Sequence, residues 1–145
     1  MIALLNRQRR VRLDTRWLRR GATLALPQCT PLSDDGRFSL RALSEIVVAI
    51  VSDSAMARLH VDFMGIEGPT DVLTFEHGEI VVSAETAAIY ARQYAHPIEQ
   101  ELLLYIIHGL LHLNGYDDRT ASAAARMRRT QNRVLRAVLA QLPAL

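Results

Sequence analysis

The chain has 145 residues, of which 50% are hydrophobic and 22% are charged, and its formal net charge is +2. This composition argues against a disordered protein, and the length suits one compact domain over residues 1–145. A single cysteine, Cys29, excludes an internal disulfide framework and a zinc site built from several thiolates, so we expect a reducing, cytoplasmic setting. The longest apolar segment, Leu102–Leu113, is too short to cross a bilayer, so we predict a soluble protein with no membrane partner.

The small net charge conceals an uneven distribution of arginine, which is the only basic residue type besides histidine. Residues 1–20 carry seven Arg and one Asp, and residues 119–145 carry six Arg and no acidic residue. Residues 21–118 carry four Arg and fourteen acidic residues. The two ends are therefore basic and the middle is acidic, which makes the ends candidate contacts for an anionic partner.

The first half of the chain alternates strand and helix patterns. Glu45–Val51 is almost continuously hydrophobic and rich in β-branched residues, as expected of a strand that is covered on both faces. The predicted elements are a strand at Ile2–Leu5, an Arg-rich helix from about Asp14, a loop at 27–36, a helical turn at Leu40–Leu43, the strand Glu45–Val51 and a helix from Ser52 to about His60.

The second half begins with a predicted turn at Gly65–Pro69 and ends in three helices. The predicted elements are strands at Asp71–Phe75 and Glu79–Val82 and helices at Ala84–Tyr94, Ile98–Leu113 and about Thr120–Leu139. Together the two halves predict a single-domain α+β fold, with a mixed sheet of roughly four strands layered with four to five helices.

The segment His108–Asp118 carries the strongest chemical signal. Residues four apart on a helix share a face, so His108 and His112 can converge on one ion. Gly115 ends the helix and lets the chain turn back, which would bring an acidic side chain toward the same ion. Two imidazoles and one carboxylate leave a fourth position for water, as in catalytic zinc sites. We therefore predict a metal site on a central helix and the turn after it, with Asp118 as the third ligand.

Two other interpretations of this segment remain open. The histidines could be a buried hydrogen-bonded pair without a metal, although such a helix end does not require two aspartates beyond its glycine. A zinc peptidase is disfavoured because Gly109 occupies the position at which H-E-x-x-H enzymes carry their general base. Hydrolysis of a peptide or small molecule is therefore the weakest functional hypothesis.

The sequence resembles the YbeY family of bacterial rRNA maturation endoribonucleases. The resemblance covers roughly residues 46–135 and depends on three blocks in matching order, which are Gly68–Phe75, Gly78–Ser83 and His108–Asp118. It implies an α+β metalloprotein that binds one zinc ion and cleaves RNA. It further implies a role in maturation of the 3′ end of small-subunit rRNA and in ribosome quality control, with ribosomal RNA, ribosomal proteins or the small subunit as partners.

The chain departs from the family pattern at two positions. Asp118 stands where the family usually has a third histidine ligand; a carboxylate still suits zinc and widens tolerance toward harder metals. Met64 stands where the family commonly has an arginine that is thought to hold or activate the RNA phosphate. Either Arg58 or Arg119 replaces that arginine, or phosphate stabilisation is weaker. The second departure supports an alternative function, a non-catalytic RNA-binding ribosome assembly factor with a structural or residual metal site.

For catalysis, we hypothesise that the metal-bound water attacks the phosphodiester or deprotonates the ribose 2′-OH. Asp117 is the candidate side-chain base, although it is also suited to fixing the turn through backbone N–H groups. Thr70 and Asp71 either form a wall of the substrate cleft or cap the turn before their strand. His77 and His96 are predicted to be surface or turn residues.

The last predicted helix places four arginines, Arg126, Arg129, Arg133 and Arg136, in one stripe. An ordinary solvated helix face is one interpretation, but the lack of any acidic residue after Asp118 favours an array that binds phosphate. We expect contact with the RNA backbone, together with Arg58 and Arg119, and a steep dependence of binding on salt. The oligomeric state is not predicted.

Overall fold

The computed structural model describes residues 1–32, 39–65 and 70–145. Its strands are β1 (Ile2–Asn6), β2 (Ile46–Val51), β3 (Val72–Phe75) and β4 (Glu79–Ser83). Its α-helices are α1 (Thr15–Cys29), α2 (Asp53–Met64), α3 (Ala84–Tyr94), α4 (Ile98–Leu113) and α5 (Ala121–Leu139), with one 3-10 turn at Leu40–Ala42. These elements confirm the predicted α+β fold.

The four strands form one mixed sheet in the order β1-β2-β4-β3. The pairs β1–β2 and β2–β4 are parallel, and β3 runs antiparallel to β4. The tight connection at Gly78, whose φ is +111°, allows β3 and β4 to pair as neighbours. The mixed sheet predicted from the sequence is thereby confirmed.

The two faces of the sheet have different covers. On one face, Val48 and Ile50 of β2 join the large core that includes α1 and α4. On the other face, Ala49 and Val51 of the same strand join a smaller cluster with Met56 of α2. This alternation follows from the two-residue period of a strand, and it explains why β2 is hydrophobic at nearly every position.

The central helix α4 packs against the sheet and against α1, α3 and α5. Ten of its sixteen residues are buried, so its sequence is hydrophobic on almost every side. It begins directly after Pro97 and ends at Leu113, where Asn114 caps it before Gly115 with a φ of +99°. Asn114 is fully buried and its amide donates to the carbonyl of Cys29 at 2.8 Å, which joins the end of α4 to the end of α1.

Two predicted boundaries were wrong. The predicted loop at 27–36 begins too early, because α1 continues through Pro27 to Cys29. Proline removes one backbone hydrogen bond near the helix end, and the complete burial of Cys29 in the core offsets that loss. Likewise α2 continues past His60 to Met64, where Gly65 ends it with a φ of +68°. Residues 33–36 of the predicted loop and residues 66–69 of the predicted turn lie outside the described residues.

Within the described ranges, no helix has the length and apolar character needed to cross a membrane.

Candidate metal centre

The three predicted ligands meet at the end of α4. The Nε2 atoms of His108 and His112 lie 2.9 Å apart. Oδ2 of Asp118 lies 3.8 Å from Nε2 of His108 and 3.9 Å from Nε2 of His112. One donor atom from each residue falls within 4.8 Å of the other two, so the three side chains can share a metal ion.

The far nitrogen of each imidazole already has a hydrogen-bond partner. Nδ1 of His108 lies 2.7 Å from Oε1 of Gln131, and Nδ1 of His112 lies 2.9 Å from the backbone carbonyl of Tyr116. Both partners are acceptors, so each Nδ1 carries the proton and each Nε2 of a neutral ring presents a lone pair. Two lone pairs that face each other at 2.9 Å repel unless a cation lies between them. The arrangement is typical of histidines oriented for metal binding.

The ionisation of His112 suits a ligand. Burial, followed by the neighbouring His108, lowers the pKa of His112 below its ordinary value, and the carboxylate of Asp118 opposes that shift. The unprotonated ring is therefore favoured at neutral pH, and a neutral imidazole is the form that binds metals.

Local geometry accounts for the convergence of these groups. The four-residue spacing places both rings on one face of α4. After the helix, the N–H of Tyr116 donates to the carbonyl of Leu111 at 3.0 Å, so the chain turns back across the last helical turn. Gly115 adopts the positive φ that this turn needs, and Asp118 is returned to the histidines three residues later.

A cleft of about 450 Å³ opens beside the candidate ligands. It is lined by His112, Asp117 and Asp118 and by Arg119 from the turn. Met64 of α2 also lines it, as do Thr74 and Glu76 around the end of β3. Oδ1 of Asp117 accepts a hydrogen bond from the backbone N–H of Arg119 at 3.1 Å, and this contact fixes the turn.

The predicted arginine stripe lines a groove on α5, here called the arginine groove. Arg126, Arg129, Arg133 and Arg136 line this groove, which has a volume of about 610 Å³. Tyr116 lines both the groove and the cleft, and the guanidinium of Arg126 lies 4.9 Å from the centre of its ring. The groove and the cleft are therefore adjacent, and no acidic residue lines the groove among the residues described.

Several other candidate residues do not line the cleft in the described part of the chain. Arg58 is exposed on α2 and does not line the cleft, and Arg10 of the basic N-terminus lines a different pocket beside Asp53. His77 is exposed, as predicted from the sequence. His96 follows the end of α3, as predicted, but its ring is mostly enclosed and its Nε2 lies 3.0 Å from Oε1 of Glu101.

Thr70 and Asp71 take part in capping the strand that follows them. Oδ1 of Asp71 accepts from the backbone N–H of Val72 at 2.8 Å and lies 3.4 Å from the hydroxyl of Thr70. Asp71 also lines a pocket beside His108, whereas Thr70 lines neither that pocket nor the cleft. These contacts fit the capping interpretation, and neither residue lines the cleft.

Gly109 faces the sheet. A Cβ atom at this position would lie 2.8 Å from Cγ2 of Ile80 on β4, which is closer than such atoms approach in proteins. The general base of H-E-x-x-H peptidases would therefore have no room here. The glycine serves the packing of α4 on the sheet, which disfavours peptidase chemistry at this site.

Sequence reasoning missed Gln131, which supports His108. One signal for it exists in α5, because Gln131 lies four residues after the buried Met127 and three before the buried Val134. A polar residue on the buried face of a helix needs a hydrogen-bond partner, but the sequence does not say which one.

Comparison with known proteins gives a consistent family assignment. The family described as Endoribonuclease YbeY matches residues 6–139 of the chain. The chain belongs to the YbeY family. The predicted membership is thereby confirmed, and the match includes the whole of the candidate metal centre.

Individual members of the YbeY family show the extent of the similarity. The chain is 33% identical over 114 residues to the Endoribonuclease YbeY of Moorella thermoacetica, with 66% of this chain and 73% of the relative covered. It is 37% identical over 113 residues to that of Frankia alni, with 64% of this chain covered. That match spans 62% of the Frankia alni protein, so part of the relative has no counterpart in the alignment.

A solved structure agrees with the fold. The solution structure of TM1509 from Thermotoga maritima is 28% identical to this chain, with a TM-score of 0.67. The similarity covers 97% of this chain and 91% of the other. It extends across the sheet and all five α-helices of the described part of the chain.

Proposed function

We propose that this protein is a zinc-dependent endoribonuclease, with the zinc ion held by His108, His112 and Asp118. The observation that carries the proposal is the pair of Nε2 atoms 2.9 Å apart, with a hydrogen-bond acceptor at each Nδ1 and the carboxylate of Asp118 beside them. Two imidazoles and one carboxylate form a donor set that suits zinc and leaves a fourth position for water or substrate. The names of the YbeY relatives supply the substrate class.

The chain's own residues provide the setting for phosphodiester cleavage. A zinc ion held there would acidify bound water and offset negative charge on the phosphate. Gln131 and the carbonyl of Tyr116 hold the two rings in the binding tautomer. Asp117, which lines the cleft, is the candidate side chain for accepting the proton of the attacking water or ribose 2′-OH.

The RNA backbone is proposed to follow the arginine groove into the cleft. Arginine binds phosphate through paired hydrogen bonds, and four arginines in one groove without an acidic lining residue among those described favour a polyanion. Arg119 extends the positive charge into the cleft. Arg58 is the least supported member of the proposed contacts, because the structure places it outside the lining of both the groove and the cleft.

The biological substrate is proposed to be precursor rRNA, with cleavage at the 3′ end of the small-subunit rRNA and a role in ribosome quality control. Ribosomal proteins or the small subunit are the proposed partners, and the cytoplasm is the proposed location. Support comes from the family resemblance of the three sequence blocks and from membership of a family whose members are named endoribonucleases.

The test is cleavage of a defined precursor of small-subunit rRNA by zinc-loaded and by chelated protein. We expect cleavage by the loaded protein only, and loss of both stoichiometric zinc and cleavage in His112→Ala. His77→Ala is the matched control, because His77 is exposed and outside the ligand set. Full cleavage by chelated protein, or by His112→Ala without zinc, would refute the proposal.

A second candidate is a non-catalytic ribosome assembly factor that binds RNA through the same surface. The observation in its favour is that Met64 lines the cleft at the position where the family commonly has an arginine. Binding of the rRNA precursor with no product at any metal loading would favour this function over cleavage.

A further inference from the structure

A second pocket, here called the tyrosine pocket, is lined in part by His108, which does not line the cleft. It is lined by Asp71, Tyr90 and Tyr94, by Glu101 and Tyr105, and by His108 and Gln131 of the candidate metal centre. Its volume is about 280 Å³, which is small for a drug-sized ligand and suits a single aromatic ring system.

Two polar side chains, Glu101 and Tyr105, are buried at this pocket. Glu101 is 4% exposed and Tyr105 is 5% exposed. Oε1 of Glu101 is paired with His96, whose Nε2 lies 3.0 Å away, whereas the Tyr105 hydroxyl has no hydrogen-bond partner among the described residues. Burying a polar group without a partner costs about 1–3 kcal/mol, so a ligand that hydrogen-bonds to the Tyr105 hydroxyl would offset this cost.

The rings of Tyr90 and Tyr94 line the tyrosine pocket. Tyr90 and Tyr94 are 40% and 60% exposed, and their rings are stacked with centroids 6.2 Å apart. The ring of His96 stacks on the ring of Tyr94 in turn, at 6.3 Å. Exposed aromatic side chains of this kind provide surfaces on which unpaired nucleobases stack in proteins that bind single-stranded RNA.

We propose that the tyrosine pocket binds the base of one unpaired RNA nucleotide next to the scissile position, and that it prefers guanine. The inference rests on the proposed function, since it assigns a base-recognition subsite to the same RNA substrate. The base stacks on Tyr90 or Tyr94, and its Watson–Crick edge donates hydrogen bonds to Glu101.

The chemistry of the pocket determines which base fits. A carboxylate only accepts hydrogen bonds, and guanine presents two neighbouring donors, the N1–H and the N2 amino group. Uracil presents one N–H between two carbonyl oxygens, which a carboxylate repels. Phosphate is excluded because Asp71 and Glu101 are both acidic and no arginine lines the pocket in the described part of the chain. An arginine side chain of a protein partner is the competing ligand. Such a ligand would not explain why the pocket includes His108 of the candidate metal centre.

The first experiment titrates the zinc-loaded full chain with guanosine, uridine or N-acetylargininamide and follows backbone amide shifts by NMR. We expect guanosine to shift the amides of Glu101 and Tyr105 and to bind about tenfold or more tightly than uridine. Glu101→Gln should remove this preference, and Tyr94→Ala, at an exposed ring, should weaken both nucleosides. Glu99→Gln is the matched control on the same helix, since a glutamine oxygen can still accept the hydrogen bond from Asp14.

The second experiment measures binding of 2′-O-methyl oligouridine with and without one central guanosine. The guanosine should tighten binding to wild-type protein several-fold and leave binding to Glu101→Gln unchanged. Oligonucleotide binding without base preference would overturn the guanine pocket and leave the proposed function standing. Guanosine binding at the pocket without any oligonucleotide binding would support the guanine pocket and overturn the proposed function. Equal shifts from guanosine and uridine, or tighter binding of N-acetylargininamide, would also overturn the pocket assignment.

Discussion

Replacement of Gln131 by leucine tests whether the hydrogen bond to His108 prepares that ring for metal binding. Oε1 of Gln131 lies 2.7 Å from Nδ1 of His108 and holds the tautomer that leaves Nε2 free. Loss of such a supporting contact typically lowers metal affinity about 10-fold to 100-fold, which corresponds to about 1.4–2.7 kcal/mol. The His108 side chain is 21% exposed, so water can partly replace the lost acceptor, and we expect a loss near tenfold.

The assay is zinc competition against a chromophoric chelator at neutral pH. Gln131→Glu retains an acceptor and adds charge, so its affinity should equal or exceed that of wild type. Gln93→Leu makes the same chemical change at an exposed position of α3 and should have no effect. If Gln131→Leu binds zinc as tightly as wild type, the hydrogen bond does not orient His108, and the reasoning from the two Nδ1 contacts fails.

Four further predictions concern packing, catalysis, RNA binding and thiol reactivity. Gly109→Ala should lower the free energy of unfolding, measured in urea, by about 1–2 kcal/mol, because the added methyl group overpacks against Ile80 by more than the gain in helix propensity. In an Ile80→Ala background the same change should instead stabilise the protein. Met64→Arg should raise kcat/KM for RNA cleavage about tenfold or more by adding a positive charge to the cleft, and an unchanged rate would contradict that role. Arg133→Gln should reduce the slope of log Kd against log salt by about 0.7, and an unchanged slope would mean that Arg133 contacts no phosphate. Burial raises the pKa of the Cys29 thiol to about 12. Its reaction with a disulfide reagent at neutral pH should therefore be at least about a hundredfold slower in native than in denatured protein. Equal rates would show that the thiol is accessible in the native protein.

Gly109 and Met64 both occupy positions where a catalytic pattern has a functional side chain, but for different reasons. Gly109 is determined by packing, because the sheet leaves no space for a side chain there. Met64 is exposed and lines the cleft, so the position accepts a long side chain. Restoring an arginine at Met64 is therefore a test of chemistry, whereas a substitution at Gly109 is a test of the fold.

Most element positions followed from the sequence because the signals are local. The bounds of α3 and α4 agree with the prediction, since Ser83, Pro97 and Gly115 mark helix ends by their own conformational preferences. The end of α1 was wrong because the burial of Cys29, a tertiary effect, outweighs the local preference of Pro27. A pattern of hydrophobic residues shows that a helix has a buried face but not what covers that face.

The same distinction applies to the candidate site. The sequence by itself determined the pairing of His108 with His112 and the return of Asp118, because helical spacing and one glycine turn fix them within eleven residues. Only the tertiary structure brought Gln131 to His108, because that contact depends on how α5 packs against α4. It also decided that the arginine groove adjoins the cleft through Tyr116 and that the tyrosine pocket includes His108 of the candidate metal centre. Contacts between distant segments depend on the packing of whole helices, and local sequence patterns do not encode that packing.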